Sequence, residues 1–227
     1  MKMARISRFA LIGVLALSGP ALAQGQETER VDRTVSIRAG GQVRIKNFSG
    51  TVTITGGRRG DVAVHAIRRG TRERLDNIKL EVTETSSGVS IEANRRSSGW
   101  RDRDNNVVDT QLDIQVPDDV SLDVEVFSSD VKVADVTGRQ RLRTFSGNID
   151  VTGAGSVDAE TFSGDIELTL AQGAGGRVDF DSFSGSLRSD AGMVTRTAGK
   201  RHVSGTIGTG GSNDYRFKTF SGDARIR

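Results

Sequence analysis

Apolar and polar residues alternate along most of this chain, and one short motif interrupts the alternation at regular intervals. Leu122, Val124 and Val126 precede one interruption, and Val131 and Val133 follow it. Leu142 and Thr144 lead to the next, with Ile149 and Val151 beyond; Val157 and Ala159 lead to a third, with Ile166, Leu168 and Leu170 beyond. Val178 and Phe180 precede Leu187, and Tyr215 and Phe217 precede Ala224 and Ile226. A period of two is that of half-buried strands. Parity flips at each interruption: Val124 and Val126 are even, whereas Phe127, Val131 and Val133 are odd. The flip marks a corner between two strands, not one long strand.

The interrupting motif occurs seven times: Phe48-Ser49-Gly50, Phe127-Ser128-Ser129, Phe145-Ser146-Gly147, Phe162-Ser163-Gly164, Phe183-Ser184-Gly185, Val203-Ser204-Gly205 and Phe220-Ser221-Gly222. From Phe127 onward the first positions are 18, 17, 21, 20 and 17 residues apart. A period near 20 is that of a repeat architecture. Glycine at the third position suits a tight backbone angle or a close approach. The next residue is always short and polar, from Thr51 to Asp223, and such side chains favour turns by bonding nearby backbone.

Two architectures fit. In a parallel β-solenoid of 17–21-residue coils, equivalent residues stack, and Phe127, Phe145, Phe162, Phe183 and Phe220 form a ladder inside adjacent coils, with Val203 breaking it. In an antiparallel β-meander, Ser-Gly is a two-residue hairpin turn. Solenoid stacking pairs Arg143 with Glu160, Lys132 with Asp150 and Glu167 with Arg188, but sets Asp150 on Glu167; the meander opposes Arg143 to Asp150 and Asp181 to Arg188, but also Glu160 to Glu167 and Lys218 to Arg225, so the charges lean only slightly to the solenoid. Near-identity of residues at one repeat position, which neighbour stacking selects, favours the all-β solenoid.

The N-terminal part is less regular. Residues 24–34 read as a flexible lead-in, and a single domain spans 35–227. Within it, 61–116 forms a wider, irregular capping section. Val62, Val64 and Ala66 form a strand, Thr71–Asn77 one helical turn with Thr71 as N-cap, and Ile78–Val82 and Val89–Ala93 a strand pair around Ser86-Ser87-Gly88. Arg95–Asn106 is the least strand-like stretch and holds four Arg, two Asp and the sole Trp.

Composition changes the picture in one respect. Residues 1–23 have the form of a secretory signal: Lys2, Arg5 and Arg8, then apolar Phe9–Leu17, then Ala21-Leu22-Ala23 before Gln24. Its removal takes away three basic residues and no acidic one, leaving 29 of each sign from 32 Lys+Arg and 29 Asp+Glu. Nucleic-acid binding then loses its electrostatic support. The absence of Cys excludes disulfides and a lipid-modified Cys, and no later stretch is apolar enough to span a membrane. These features place the product in the periplasm or outside the cell, without a lipid anchor.

Candidate chemistry is sparse. With no Cys and only His65 and His202, neither a nucleophilic triad nor a His/Cys metal site is indicated, and no catalytic residue, cofactor or metal is assigned. Asp130, Asn148 and Asp165 read as a polar corner ladder. Asp150, Glu167, Asp165 and Asp223 are the carboxylates that a polysaccharide-active β-helix would use. Trp100, flanked by Arg101 and Arg103, is the candidate partner-binding residue, for an envelope protein or a glycan.

The strand ending at Val116-Pro117, the following Ser-Leu-Asp-Val-Glu-Val, and the serial Ser-Gly-Asp-Ile corners resemble the bacterial "putative adhesin" β-strand-repeat family over about residues 31–227. The resemblance implies a β-solenoid at the cell envelope and brings no catalytic residues. It points to a non-enzymatic interaction or scaffold module, with a polysaccharide-binding or polysaccharide-active β-helix as the alternative.

Overall fold

The strands on either side of the corner motifs form two rows, and the corners join one row to the other. The computed structural model describes residues 25–96, 107–153, 155–208 and 211–227. The N-terminal elements are β1 (Glu27–Ser36), β2 (Gln42–Gly57), β3 (Asp61–Gly70), α1 (Arg72–Asn77), β4 (Ile78–Thr85), β5 (Gly88–Arg96) and β6 (Asp109–Pro117). The regular coils follow as β7 (Ser121–Ala134), β8 (Gln140–Ser146), β9 (Ile149–Thr152), β10 (Val157–Ser163), β11 (Ile166–Thr169), β12 (Gly176–Ser184) and β13 (Leu187–Ser189). The chain ends with β14 (Met193–Ala198), β15 (His202–Ile207), β16 (Asn213–Ser221) and β17 (Ala224–Ile226).

The first row runs β4, β5, the first half of β2, the first half of β7, β8, β10, β16, β12, β15, β14. Pairing is parallel from β5 to β12, and β4 and the β14–β15 pair close the ends antiparallel. The second row runs β1, β3, β6, the second halves of β2 and β7, then β9, β11, β17 and β13. It is parallel from β6 to β13, with β3 and β1 antiparallel. This is the stacked-coil solenoid; the antiparallel meander is excluded by the parallel registers. Inward residues of both rows, such as Val124, Leu142, Ile149, Val151 and Leu168, form one buried apolar cluster. Burying each such side chain stabilises the fold by roughly 1.5–3 kcal/mol.

Three features differ from the sequence reading. First, the coils do not stack in chain order. The last coil, β16–β17, inserts between β10–β11 and β12–β13. Glu167 is therefore in register with Arg225, not Arg188, while Arg143–Glu160 and Lys132–Asp150 neighbour as the stacking reading requires. Secondly, Val203-Ser204-Gly205 is not a corner. It lies in β15, antiparallel to β12, with Val203 opposite Phe180. Thirdly, the polar lead-in is the strand β1, paired with β3 through ten residues. Buried Arg68 of β3 fixes this end, donating to the Glu29 carboxylate of β1 and to the Ile78 carbonyl. Regular pairing also reaches further back than the period shows, since β6 stacks in parallel on β2 over Thr110–Pro117.

The single helical turn forms where expected. Thr71 caps it, its hydroxyl accepting from the Arg74 N–H at 3.4 Å, and Leu75 packs with Ile78 and Val108. Among the described residues, no helix is long and apolar enough to cross a membrane.

Candidate functional site

The corner is built from the residue before the Phe. Thr144, Thr161 and Thr219 keep the inward phase of their strands and are buried. Their hydroxyls donate to the carbonyls of Ser129, Gly147 and Gly222 at 3.3, 3.3 and 2.8 Å. In the Phe48 coil Asn47 takes this place, its amide donating to the Ser49 and Thr110 carbonyls at 3.1 Å each. These bonds satisfy backbone groups at the bend, as buried polar groups require. The corner glycines are sterically required. A Cβ on Gly164 would sit 2.1 Å from the Gly147 carbonyl oxygen, and one on Gly147 2.1 Å from that of Ser129, with φ near 150° at both.

With the preceding residue turned inward, the Phe faces out. Phe48, Phe127, Phe145, Phe162, Phe220 and Phe183 stack in that order, with ring centroids 4.7–4.9 Å apart and planes within 10° of parallel. The ladder therefore exists, but on the surface and not inside the coils: each ring is 41–55% exposed. Of the described residues, the only other large hydrophobic so exposed is Val194. Ring faces cover one another, so the ladder presents ring edges. At its outer end the Arg201 guanidinium lies 4.4 Å from the Phe183 ring centroid, a cation–π contact.

Two residues before each Phe stands a charge: Lys46, Glu125, Arg143, Glu160, Lys218 and Asp181 in spatial order. Their signs alternate along the stack. Lys46–Glu125, Arg143–Glu160 and Lys218–Glu160 approach to 3.4, 3.6 and 3.3 Å. Four residues before each Phe the alternation repeats as Arg44, Asp123, Arg141, Asp158, Arg216 and Asp179. The rings and the nearer charged row border a groove of about 1000 Å³. Sequence reading missed this row, because in chain order the acidic Glu160 and Asp181 coils are consecutive. The alternation exists only once Lys218 stands between them.

On the far side of the corners runs a polar ladder. Oδ1 of Asp130 accepts from the Asn148 N–H, Oδ1 of Asn148 from the Asp165 N–H, and Oδ1 of Asp165 from the Asp223 N–H, at 2.8–3.0 Å. Oδ1 of Asp223 then accepts from the Ser186 N–H at 2.7 Å and its hydroxyl at 3.0 Å. Those two donors hold the Asp223 carboxyl below the usual carboxylate range. Asp150 shifts the other way. Burial raises its carboxyl, an effect that Lys132 opposes and that Glu167 and Asp130 reinforce.

The other candidates are dispersed. His65 pairs with Asp32 at 2.6 Å and His202 with Asp181 at 2.9 Å, in different rows of the molecule. Glu167, beside Asp150, is ion-paired with Arg227 at 2.9 Å. Trp100, Arg101 and Arg103 lie outside the described residues, as do residues 1–23, where a secretory signal is expected.

The sequence of residues 106–227, more than half of the chain, matches the Toastrack DUF4097 family. The chain belongs to that family. Its fold is shared with the crystal structure of a putative cell adhesion protein from Clostridium sporogenes ATCC 15579: TM-score 0.66, 12% identity, 88% of this chain and 99% of that one. A putative adhesin from Bacteroides fragilis NCTC 9343 matches with TM-score 0.33 and 13% identity, over 88% of this chain and 97% of that one. No curated protein matches the chain. The Toastrack assignment agrees with the adhesin-type β-repeat resemblance carried by the Ser-Gly-Asp-Ile corners.

Proposed function

We propose that this Toastrack domain is a non-enzymatic interaction module of the cell envelope, with the phenylalanine ladder as its contact surface. One observation carries the reading: six half-exposed Phe rings form a continuous apolar strip across the stacked coils. At the strand spacing of ~4.8 Å, five steps give a strip roughly 24 Å long. Contiguous apolar patches of this kind mark interaction sites on soluble proteins. The name of the Clostridium sporogenes neighbour, a putative cell adhesion protein, agrees with such a role. Sugar rings stack on aromatic faces, and here neighbouring rings cover the faces, so the geometry favours an apolar partner over a glycan.

Retention of the mature chain on an envelope preparation tests this. The wild type is expected to be retained, and a Phe145→Ala/Phe162→Ala variant with an unchanged circular dichroism spectrum to be lost. Equal retention of the two, or cleavage of envelope polysaccharide by the wild type, contradicts the proposal.

A further inference from the structure

We propose that the ladder's partner is a second copy of this chain, packed ladder against ladder about a two-fold axis that passes between Phe145 and Phe162. This rests on the ladder being the contact surface and names what covers it. The argument is the charged row beside the rings. Two copies can face each other with their ladders parallel or antiparallel. A two-fold axis along the ladder keeps the direction but puts the two charged rows on opposite sides of the strip. An axis across the ladder reverses the direction and brings the rows face to face.

Reversal then opposes Lys46 to Asp181, Glu125 to Lys218 and Arg143 to Glu160 of the second copy. All of these contacts join opposite charges, because the six Phe-bearing coils alternate in sign along the row; beyond them, Glu92, in register with Lys46, falls opposite His202, in register with Asp181. An odd number of coils, or stacking in chain order, would leave like charges opposed. The same row is neutralised within each copy by its 3.3–3.6 Å neighbours, so the surface offers little to a partner of one sign. A self-complementary patch is what a two-fold interface requires. Six aromatic side chains of ~200 Å² each, half exposed, supply roughly 600 Å² per copy, and the flanking charged row brings this towards the ~800 Å² of a standard interface. The open edges are less suited to pairing. The outer strand β1 is polar and mostly exposed, with charges at Glu27, Glu29, Arg30, Asp32 and Arg33.

Sedimentation equilibrium of the mature chain, over a concentration series to several hundred micromolar, tests the proposal. The wild type should form a dimer. Arg143→Glu and Glu160→Arg, each shown to be folded by circular dichroism, should each weaken it at least tenfold through like-charge contacts. An equimolar mixture of the two should recover a heterodimer. In that pair the copy carrying Arg143→Glu presents acids at both positions, the copy carrying Glu160→Arg presents bases at both, and every contact again joins opposite charges. A dimer indifferent to both reversals, or two reversals that weaken dimerisation with no recovery on mixing, overturns the antiparallel arrangement. A wild type that is monomeric throughout overturns self-association. If that monomer is still retained by envelopes through Phe145 and Phe162, the ladder remains a contact surface and its partner is another molecule.

Discussion

The Phe at each corner faces outward because the residue before it faces inward: Thr at three corners, and Asn47, Val126 and Ser182 at the others. The phase change therefore falls just after the Phe, one residue later than the sequence reading set it. Periodicity locates the corner and the stacking of identical residues, but a single aromatic beside a phase change could be assigned to either face. The inward hydroxyl bond, such as Thr161 to the Gly147 carbonyl, settles it and leaves no trace in an apolar–polar pattern. Phe162→Ala is therefore expected to cost about 1–2 kcal/mol, from half-burial and stacking, and not the 3–5 kcal/mol of a core Phe. Denaturant melts measure it. Gly164→Ala should cost about 2–4 kcal/mol despite its small volume, since the added Cβ meets a carbonyl oxygen and the backbone angle is unfavourable. Asp223 makes stability depend on pH. Its carboxyl is depressed in the folded state, so its contribution is present above the unfolded value of about 3.9 and is lost as pH falls through the folded value. Asp223→Asn keeps an acceptor oxygen, as Asn148 does, and should flatten that acid limb in melts between pH 5 and about 2. Asp150 has the opposite sign: its raised carboxyl gives stability at low pH that is lost as pH rises through the folded value.

Among the elements, the position of β16–β17 is the least legible in the sequence. The repeat period identifies a coil but not its neighbours, and local spacing carries no order. The charges do carry it. Coils with Asp158 and Glu160, and with Asp179 and Asp181, are consecutive in the chain, and stacking them directly would align four carboxylates. Inserting the coil with Arg216 and Lys218 separates them. The antiparallel β15, which occupies the other edge of β12, leaves that inner place for the last coil. Lys218→Glu should therefore destabilise by more than an ordinary exposed substitution, about 1 kcal/mol or more, because it sets three acids side by side. Chemical melts of Lys218→Glu and Lys218→Gln separate the repulsion from the lost ion pair. At the other end, β1 reads as loose because its residues are polar. Its order comes from pairing with β3 and from buried Arg68, a tertiary effect that local composition does not report.

At the scale of the molecule, antiparallel strands close the first row at both ends and the second at the β1–β3 end, and among the described residues six of the seven exposed large hydrophobics lie on one line of corners. The last coil is internal to the stack. Removal of residues 209–227 should then abolish cooperative unfolding, where loss of a terminal coil would leave a shorter folded stack; a calorimetric scan of the truncated chain distinguishes the two. Hydroxyl-radical footprinting of residues 24–227, read at each Phe by mass spectrometry, tests most directly whether the ladder is a contact surface. In dilute protein the six ladder rings should all be oxidised while buried Phe180 and Phe217 are spared, and on association at high concentration or on envelopes the six should become protected together. Protection of the ladder rings in the dilute monomer, or association that protects other surfaces and leaves the ladder open, would contradict the account.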